Sequence, residues 1–572
     1  MNFFRNIDPY KRKEIQLYFI FFVTIFTFDF FFCNSKFVTN LLLNKDFSIK
    51  YVFSIARIFL YFIFFMILKL SSKKIINNRI SFEKNKNNKE KRLPKIIIIF
   101  FIVVILSFTL HLIISSRIMV ISLSVICLLL LYFAFIYLFY SNNYRLNILI
   151  CSTICFIFAI TTITIHPIDE IVHYTTSYNI AQGNFGNKIS YSNEGMDSVR
   201  TWGNFNSTPD LQVKYNKKNY TYKKYNEKWP VGGNEFPYYT SALGIFIAQH
   251  LGGTIMDTFY FGRLFNALLF MFMLAFLLKI IKKNIYAFSA VITTPFFLLL
   301  AGTYNVDIFG AMSIFLFSIY IFNIAFDKTK KNVNLKDFIV LIVLSFCIIS
   351  FKSSAYFFIF LLLLLLYKKI PKKYQKILGA IYLVLLVYLI YRSVLPKELV
   401  AGSGDKTGMV DMNKQLHFLL KTPTNFFNVY FLHTLNTWLN PIFYTHLNTS
   451  TFFGHYSTYL VLPYIFYLIH MGFSNDDNDL KISKKVFIIL VSLLLFYFTS
   501  TTMYLGYTPV GQIELVGYQS RYIFPFLPLI LMNISNSRIR INKQNREVFN
   551  FSLTLIILFS YSSIALLTLM YE

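Results

Sequence analysis

Apolar runs close to the length that crosses a bilayer, about 20 residues, recur from one end of the chain to the other. Clear ones cover 15–33, 51–70, 96–115, 118–140, 147–165, 259–281, 307–326, 377–395, 454–471, 486–503 and 548–568. Shorter runs at 286–301, 338–351, 354–367 and 521–536 are expected to span as well. The pattern predicts an all-α polytopic membrane protein with about 13–15 transmembrane helices. None of the runs ends in the small-residue cleavage site of a removable signal peptide, so the first is expected to stay as an anchor.

The polar segments between the runs set the expected topology. Segment 71–95 holds nine basic residues against Glu83 and Glu90, and 368–376 holds five lysines and no acid. Arg538, Arg540, Lys543 and Arg546 stand against Glu547 in 537–547. Short basic loops of this kind stay on the cytoplasmic side, where they can also touch anionic headgroups. The N-terminus, with Arg5, Lys11, Arg12 and Lys13, then lies inside. Residues 1–145 form an N-terminal four-helix membrane module with a basic cytoplasmic loop, and 146–572 form the second region. Three outer segments follow, 166–258, 396–450 and 504–520. The first is balanced, with eight acidic and eight basic residues, as expected of a translocated loop. Within it, Pro167 suits a helix start and Gly183 a stop, so 168–182 is expected to be helical. The middle, 184–230, is rich in Asn, Tyr and Lys, and 236–251 is expected to lie amphipathically at the interface.

Composition agrees with this picture. Of the 572 residues 56% are hydrophobic and only 14% charged, more apolar surface than a soluble fold of this size could cover. The net charge of +29 would suggest nucleic acid in a soluble chain, but here it is spent in the cytoplasmic loops, so no nucleic-acid partner is expected. The five cysteines lie in or beside apolar runs, without metal-ligand context. No phosphate-binding loop, dinucleotide fingerprint or nucleophile elbow is present.

Chemistry therefore has to come from polar residues at the outer ends of spans. Asp169 and Glu170 stand where a span meets water. On a helix Asp169 shares a face with His173, and Glu170 points about 100° away. A carboxylate there suits a general base, or simply complements the helix dipole. Arg263 opens the run 259–281 and suits either lipid snorkelling or a clamp on phosphate. Arg521 lies between Gln519 and Tyr522 where a late span leaves the outer face. Lys352, between two short spans, breaks the positive-inside bias and is a functional candidate. Asp307, shortly after Tyr304, enters a span from outside and either caps the helix or faces a cavity. His417, His433 and His446 lack zinc-motif spacing.

Taken in order, Pro167-Ile-Asp169-Glu170-Ile-Val-His173, Arg263-Leu-Phe-Asn266, Asp307, Lys352 and Gly517-Tyr-Gln-Ser-Arg521-Tyr-Ile-Phe-Pro525 resemble the bacterial predicted-membrane-protein families of the GT-C glycosyltransferase superfamily. The resemblance covers roughly 150–535 and is close to an uncharacterised family with a Pro-Asp-Glu-x-x-His motif and a late Gln-Gly-Arg-Tyr motif. The chain departs from it by Ile168 between Pro167 and Asp169, by Ser520 in place of Gly, and by the module before residue 146. The resemblance implies an inverting transfer of a sugar from a polyprenyl-phosphate or pyrophosphate carrier to an extracytoplasmic glycan, teichoic acid or lipid-linked acceptor. It places the protein in a bacterial cytoplasmic membrane. Asp169 would be the base, with Glu170 and His173 orienting it or the acceptor. Arg263, Arg521 and Lys352 would hold the donor phosphate. Asp307, Tyr304, Gln519 and Tyr522 would contact substrate. Some such enzymes require a divalent cation (Mg, Mn or Ca) and others do not, and the sequence is compatible with both. The rival readings are a lipid-linked glycan transporter or flippase and a polysaccharide polymerase.

Overall fold

The computed structural model describes mainly residues 154–160, 170–183, 235–252, 255–351, 356–372, 410–421, 457–474, 481–513 and 520–534, with scattered positions elsewhere. The expected N-terminal module, the 184–230 stretch and most of 396–450 lie outside the described residues.

Among the described residues the chain is helical throughout. After a helical segment at 154–160 come α1 (Glu170–Ala181), α2 (Tyr239–His250), α3 (Ile255–Ile280), α4 (Ile285–Ile292), α5 (Pro295–Ala301), α6 (Asp307–Ala325) and α7 (Leu335–Ile349). A 3-10 helix, Phe357–Lys369, then leads to α8 (Met412–Lys421), α9 (Ser457–Phe473), α10 (Ile482–Tyr507) and α11 (Leu527–Ile534). Segments Asp257–Ile280, Asp307–Ala325 and Ile482–Tyr507 are long and apolar enough to cross a membrane.

Their surfaces say the same. Phe272 is 73% exposed, and α7 presents Ile339, Ile342, Val343 and Phe346 outward together. Such a stripe would be unfavourable in water and is at home against lipid chains. The chain is an all-α, multi-pass membrane protein.

Several elements follow directly from local sequence. The apolar run of α7 starts earlier than hydropathy suggests because Asn334 and Asp337 close a reciprocal capping box. Helix α1 ends at Gly183, whose φ of 77° lies in the left-handed region. The run 286–301 does not form one helix. It breaks at Thr293 and Thr294, before Pro295, into α4 and α5. The polar groups at this break are satisfied within the protein. The Thr293 hydroxyl donates to Ser289 O (2.8 Å) and meets the Tyr467 hydroxyl (2.8 Å), while Thr294 meets the Tyr464 hydroxyl.

Helix α2 differs from the expected interfacial helix in its pattern. Its small residues, Ser241, Ala242, Gly244 and Ala248, face the protein, whereas Leu243 and Phe246 face outward. A Cβ on Gly244 would lie 2.9 Å from the carbonyl carbon of Phe261, so glycine is what lets α2 lie flush on α3. Helix α1 packs on α2. The 3-10 helix joins α6 and α10, and α9 lies against α4 and α11. One apolar core runs through 154–160, α3 to α6, the 3-10 helix and α9 to α11.

Charge divides the bundle into two ends. The starts of α1, α3 and α6 and the residues before α11 carry Glu170, Arg263, Asp307 and Arg521. The far ends of α3, α6 and the 3-10 helix, with the start of α10, carry lysines.

Candidate functional site

Glu170 and Arg263 form the centre of the carboxylate end. Both side chains are fully buried. Arg263 Nε donates to Glu170 Oε1 (2.8 Å) and Nη2 donates to Oε2 (2.6 Å), a bidentate fork. Arg263 Nη1 donates to Thr162 O (2.5 Å), and its Cζ lies 4.7 Å from the Phe259 ring centroid. Glu170 Oε1 also accepts the backbone N–H of Tyr304 (3.1 Å). The pair thus ties together four places: Arg263 joins α3 to α1 and to the backbone at Thr162, just after the 154–160 segment, and Glu170 joins α1 to the turn before α6.

That turn is held from below and above. Asn266 Nδ2 donates to Thr303 O (3.1 Å), and Asn305 Oδ1 accepts the N–H of Asp307 (2.8 Å). The Tyr304 hydroxyl donates to Phe259 O (2.8 Å) in an aromatic trio with Tyr174 and Phe259. Burial, with Tyr174 and Glu170 beside it, pushes this hydroxyl well above its ordinary pKa. The Tyr304 hydroxyl occupies the space a Cβ at Gly262 would need, so glycine at that position allows the contact.

Asp307 begins α6 and is 4% exposed. It does not cap the helix, since Val306 is the N-cap residue. It lies instead against Arg521, with Nε and Oδ2 2.5 Å apart, an ion pair by distance. Arg521 sits in a short 3-10 turn, Ser520–Tyr522, with its Cζ 5.4 Å from the Tyr522 ring centroid. Buried Tyr356 donates to Tyr522 O (3.2 Å) and so links the start of the 3-10 helix to this turn.

His173 is half-buried and its Nδ1 lies 2.9 Å from the Tyr238 hydroxyl. Asp169, Lys352 and Gln519 lie outside the described residues, as do His433 and His446. His417 is in α8, away from the two pairs in sequence and on a different element.

The structure therefore gathers Glu170, Arg263, Tyr304, Asp307, Arg521 and Tyr522 at one end of the bundle. Within that end Arg263 is turned onto Glu170, and Asp307 onto Arg521. Sequence reading did not single out Tyr238, Asn305 or Tyr356; each is an ordinary polar or aromatic residue whose role depends on its partner. Among the described residues no group of three His, Cys, Asp or Glu side chains gathers to hold a metal ion.

The sequence model of a family described as "Predicted membrane protein (DUF2142)" matches residues 153–530. No curated protein and no solved structure matches the chain.

Proposed function

We propose that this chain, which belongs to the DUF2142 family of predicted membrane proteins over a match that takes in both buried ion pairs, is a membrane glycosyltransferase of the GT-C type. It takes a sugar from a polyprenyl-phosphate or pyrophosphate carrier and passes it, with inversion, to an extracytoplasmic glycan, teichoic acid or lipid-linked acceptor. The supporting observation is the convergence of Glu170, Arg263, Asp307 and Arg521 at one end of apolar helices. The opposite end is rich in lysine. With that lysine end cytoplasmic, the paired charges face the outer side. Nucleotide sugars are absent there, so a lipid must bring the activated donor.

In this reading Asp169, one residue before Glu170, takes the proton of the acceptor hydroxyl. The oxygen attacks the anomeric carbon as the bond to the carrier phosphate breaks. The departing phosphate takes the bonding electrons and is met by Arg521 and Lys352. Glu170 already accepts three N–H donors, so it and Arg263 serve as a positioning pair that fixes the start of α1. Asp307 steers Arg521, and Gln519, Tyr522 and Tyr304 border the substrate.

The test uses membranes supplied with a labelled polyprenyl-phosphate sugar. Asp169→Asn should lower transfer by about 10²–10⁴-fold, the usual contribution of a general base. Undiminished transfer would sink the assignment.

The break between α4 and α5 favours one rival, a lipid-linked glycan transporter, because such carriers bind cargo at discontinuous helices. Against it, the hydroxyls at the break are taken up by Tyr464, Tyr467 and backbone carbonyls. Movement of lipid-linked glycan across proteoliposomes without any transfer would decide for the transporter.

A further inference from the structure

The lysine end holds a cavity of about 930 Å³ that neither ion pair touches. It opens between the α3–α4 turn, the end of α6, the end of the 3-10 helix and the start of α10. Among the described residues nine lysines line it, against Asp327 as the one lining carboxylate. Its remaining walls include Ile319, Phe322 and Phe326, so a basic rim stands over an apolar floor.

Part of that positive charge already has a structural partner. Lys369 Nζ donates to Ile324 O (2.7 Å) and Asp327 O (2.6 Å), closing the carbonyl end of α6. Lys330 pairs with Asp337 (2.6 Å), and Lys282 lies 3.8 Å from Asp327. Lys328, Lys331, Lys368 and Lys481 have no carboxylate partner among the described residues. Asp476, Asp477 and Asp479 precede Lys481 in sequence and lie outside the described residues. Even with all three counted, the lysines outnumber the acids.

The positive-inside tendency accounts for lysines at this end of the helices. It does not account for four separate elements pointing them around one concavity, where each raises the electrostatic energy of the others. A bound polyanion relieves that repulsion. The apolar floor between helices then favours an anion that carries hydrocarbon, and basic pockets between membrane helices suit lipid headgroups bearing more than one phosphate. The volume lies within the range that holds a ligand of that size.

We propose that this cavity binds the headgroup of a multiply anionic membrane phospholipid, with its phosphates on the lysine rim and the start of its chains on the apolar floor. The site is separate from the proposed sugar-transfer centre and does not depend on that reading.

The experiment uses the full chain in nanodiscs of phosphatidylcholine alone or with cardiolipin, with retained lipid counted by native mass spectrometry. Wild type should hold cardiolipin in preference to phosphatidylcholine. The variant Lys328→Gln, Lys331→Gln, Lys368→Gln should lower that retention at least tenfold. A control, Lys336→Gln, Lys372→Gln, Lys376→Gln, removes equal charge from residues outside the cavity and should change retention less than twofold. Thermal melting of both variants without cardiolipin checks that each folds. Equal losses in the two variants would reduce the effect to diffuse surface charge and overturn the site. Full displacement of cardiolipin by millimolar inorganic pyrophosphate would make the ligand a soluble phosphate and overturn the lipid assignment.

Discussion

Arg263 reaches Glu170 through the Nε and Nη2 edge of its guanidinium, at 2.8 and 2.6 Å, across 93 residues of sequence and with neither side chain exposed. A buried pair of this kind resists the loss of one partner more than the loss of both, because a lone charge is left without water or counter-charge.

Glu170→Gln or Arg263→Met alone should therefore destabilise the protein by about 3–5 kcal/mol. The double variant Glu170→Gln, Arg263→Met should recover a good part of that loss. Arg263→Lys should not rescue, since an ammonium cannot form the fork. Thermal melting in detergent reads all four; additive single and double effects would contradict the coupling.

Arg521 and Asp307 offer a sharper separation between folding and chemistry. If Arg521 meets the donor phosphate, Arg521→Lys keeps a positive charge beside Asp307 yet loses the planar contact. Sugar transfer should then fall by about tenfold or more, one good hydrogen bond to a charged group being worth about 1.5–3 kcal/mol. The melting temperature should barely move. A parallel loss of stability and activity would instead mark the pair as purely structural.

Gly262 is needed because the Tyr304 hydroxyl fills its side-chain space. Gly262→Ala should cost about 1–3 kcal/mol by forcing Tyr304 off its place in the aromatic trio. Gly506 in α10 has nothing within 4 Å of where a Cβ would stand. Gly506→Ala should be neutral or stabilising, by up to about 1 kcal/mol from helix propensity. Equal melting temperatures for the two variants would refute the contact.

The start of α8 should respond to acid. The N–H groups of Lys414 and Asn413 donate to Asp411 (3.0 Å each), and the first of these is the main reason its carboxyl lies below the ordinary 3.8. A lowered carboxylate pKa in the folded state adds stability that is present above the unfolded value. That stability fades as pH falls through the lower folded value. Amide exchange at the α8 amides Asn413 and Lys414 should stay protected down to about pH 4 and then open relative to Asp411→Asn, whose amide oxygen caps at any pH. Parallel exchange profiles for the two proteins would argue against it.

The succession of apolar runs, the split between lysine-rich and mixed polar segments, and the residues worth watching at span ends were all legible in the sequence. Crossing a bilayer demands a run of about 20 apolar residues, and that demand is written in one dimension. The runs 259–281, 307–326 and 486–503 accordingly became α3, α6 and α10. Glu170, Arg263, Asp307 and Arg521 stood out because ionisable groups at such positions need a reason.

Which charge meets which was decided only by the fold. Whether Arg263 turns to lipid phosphate or to Glu170 depends on the rotation of α3 about its axis and on having α1 as a neighbour. Hydropathy carries neither quantity. For the same reason Asp307, which by position alone could be a helix cap, proved to face Arg521. Of the lysines at the opposite end, Lys368 and Lys369 stood in a segment read as a basic cytoplasmic loop, yet the arrangement of all of them around one cavity needed four helix ends brought together in space. Sequence determined the length, polarity and order of the helices, because the membrane selects those segment by segment; the packing of helix on helix chose the partners of the buried charges.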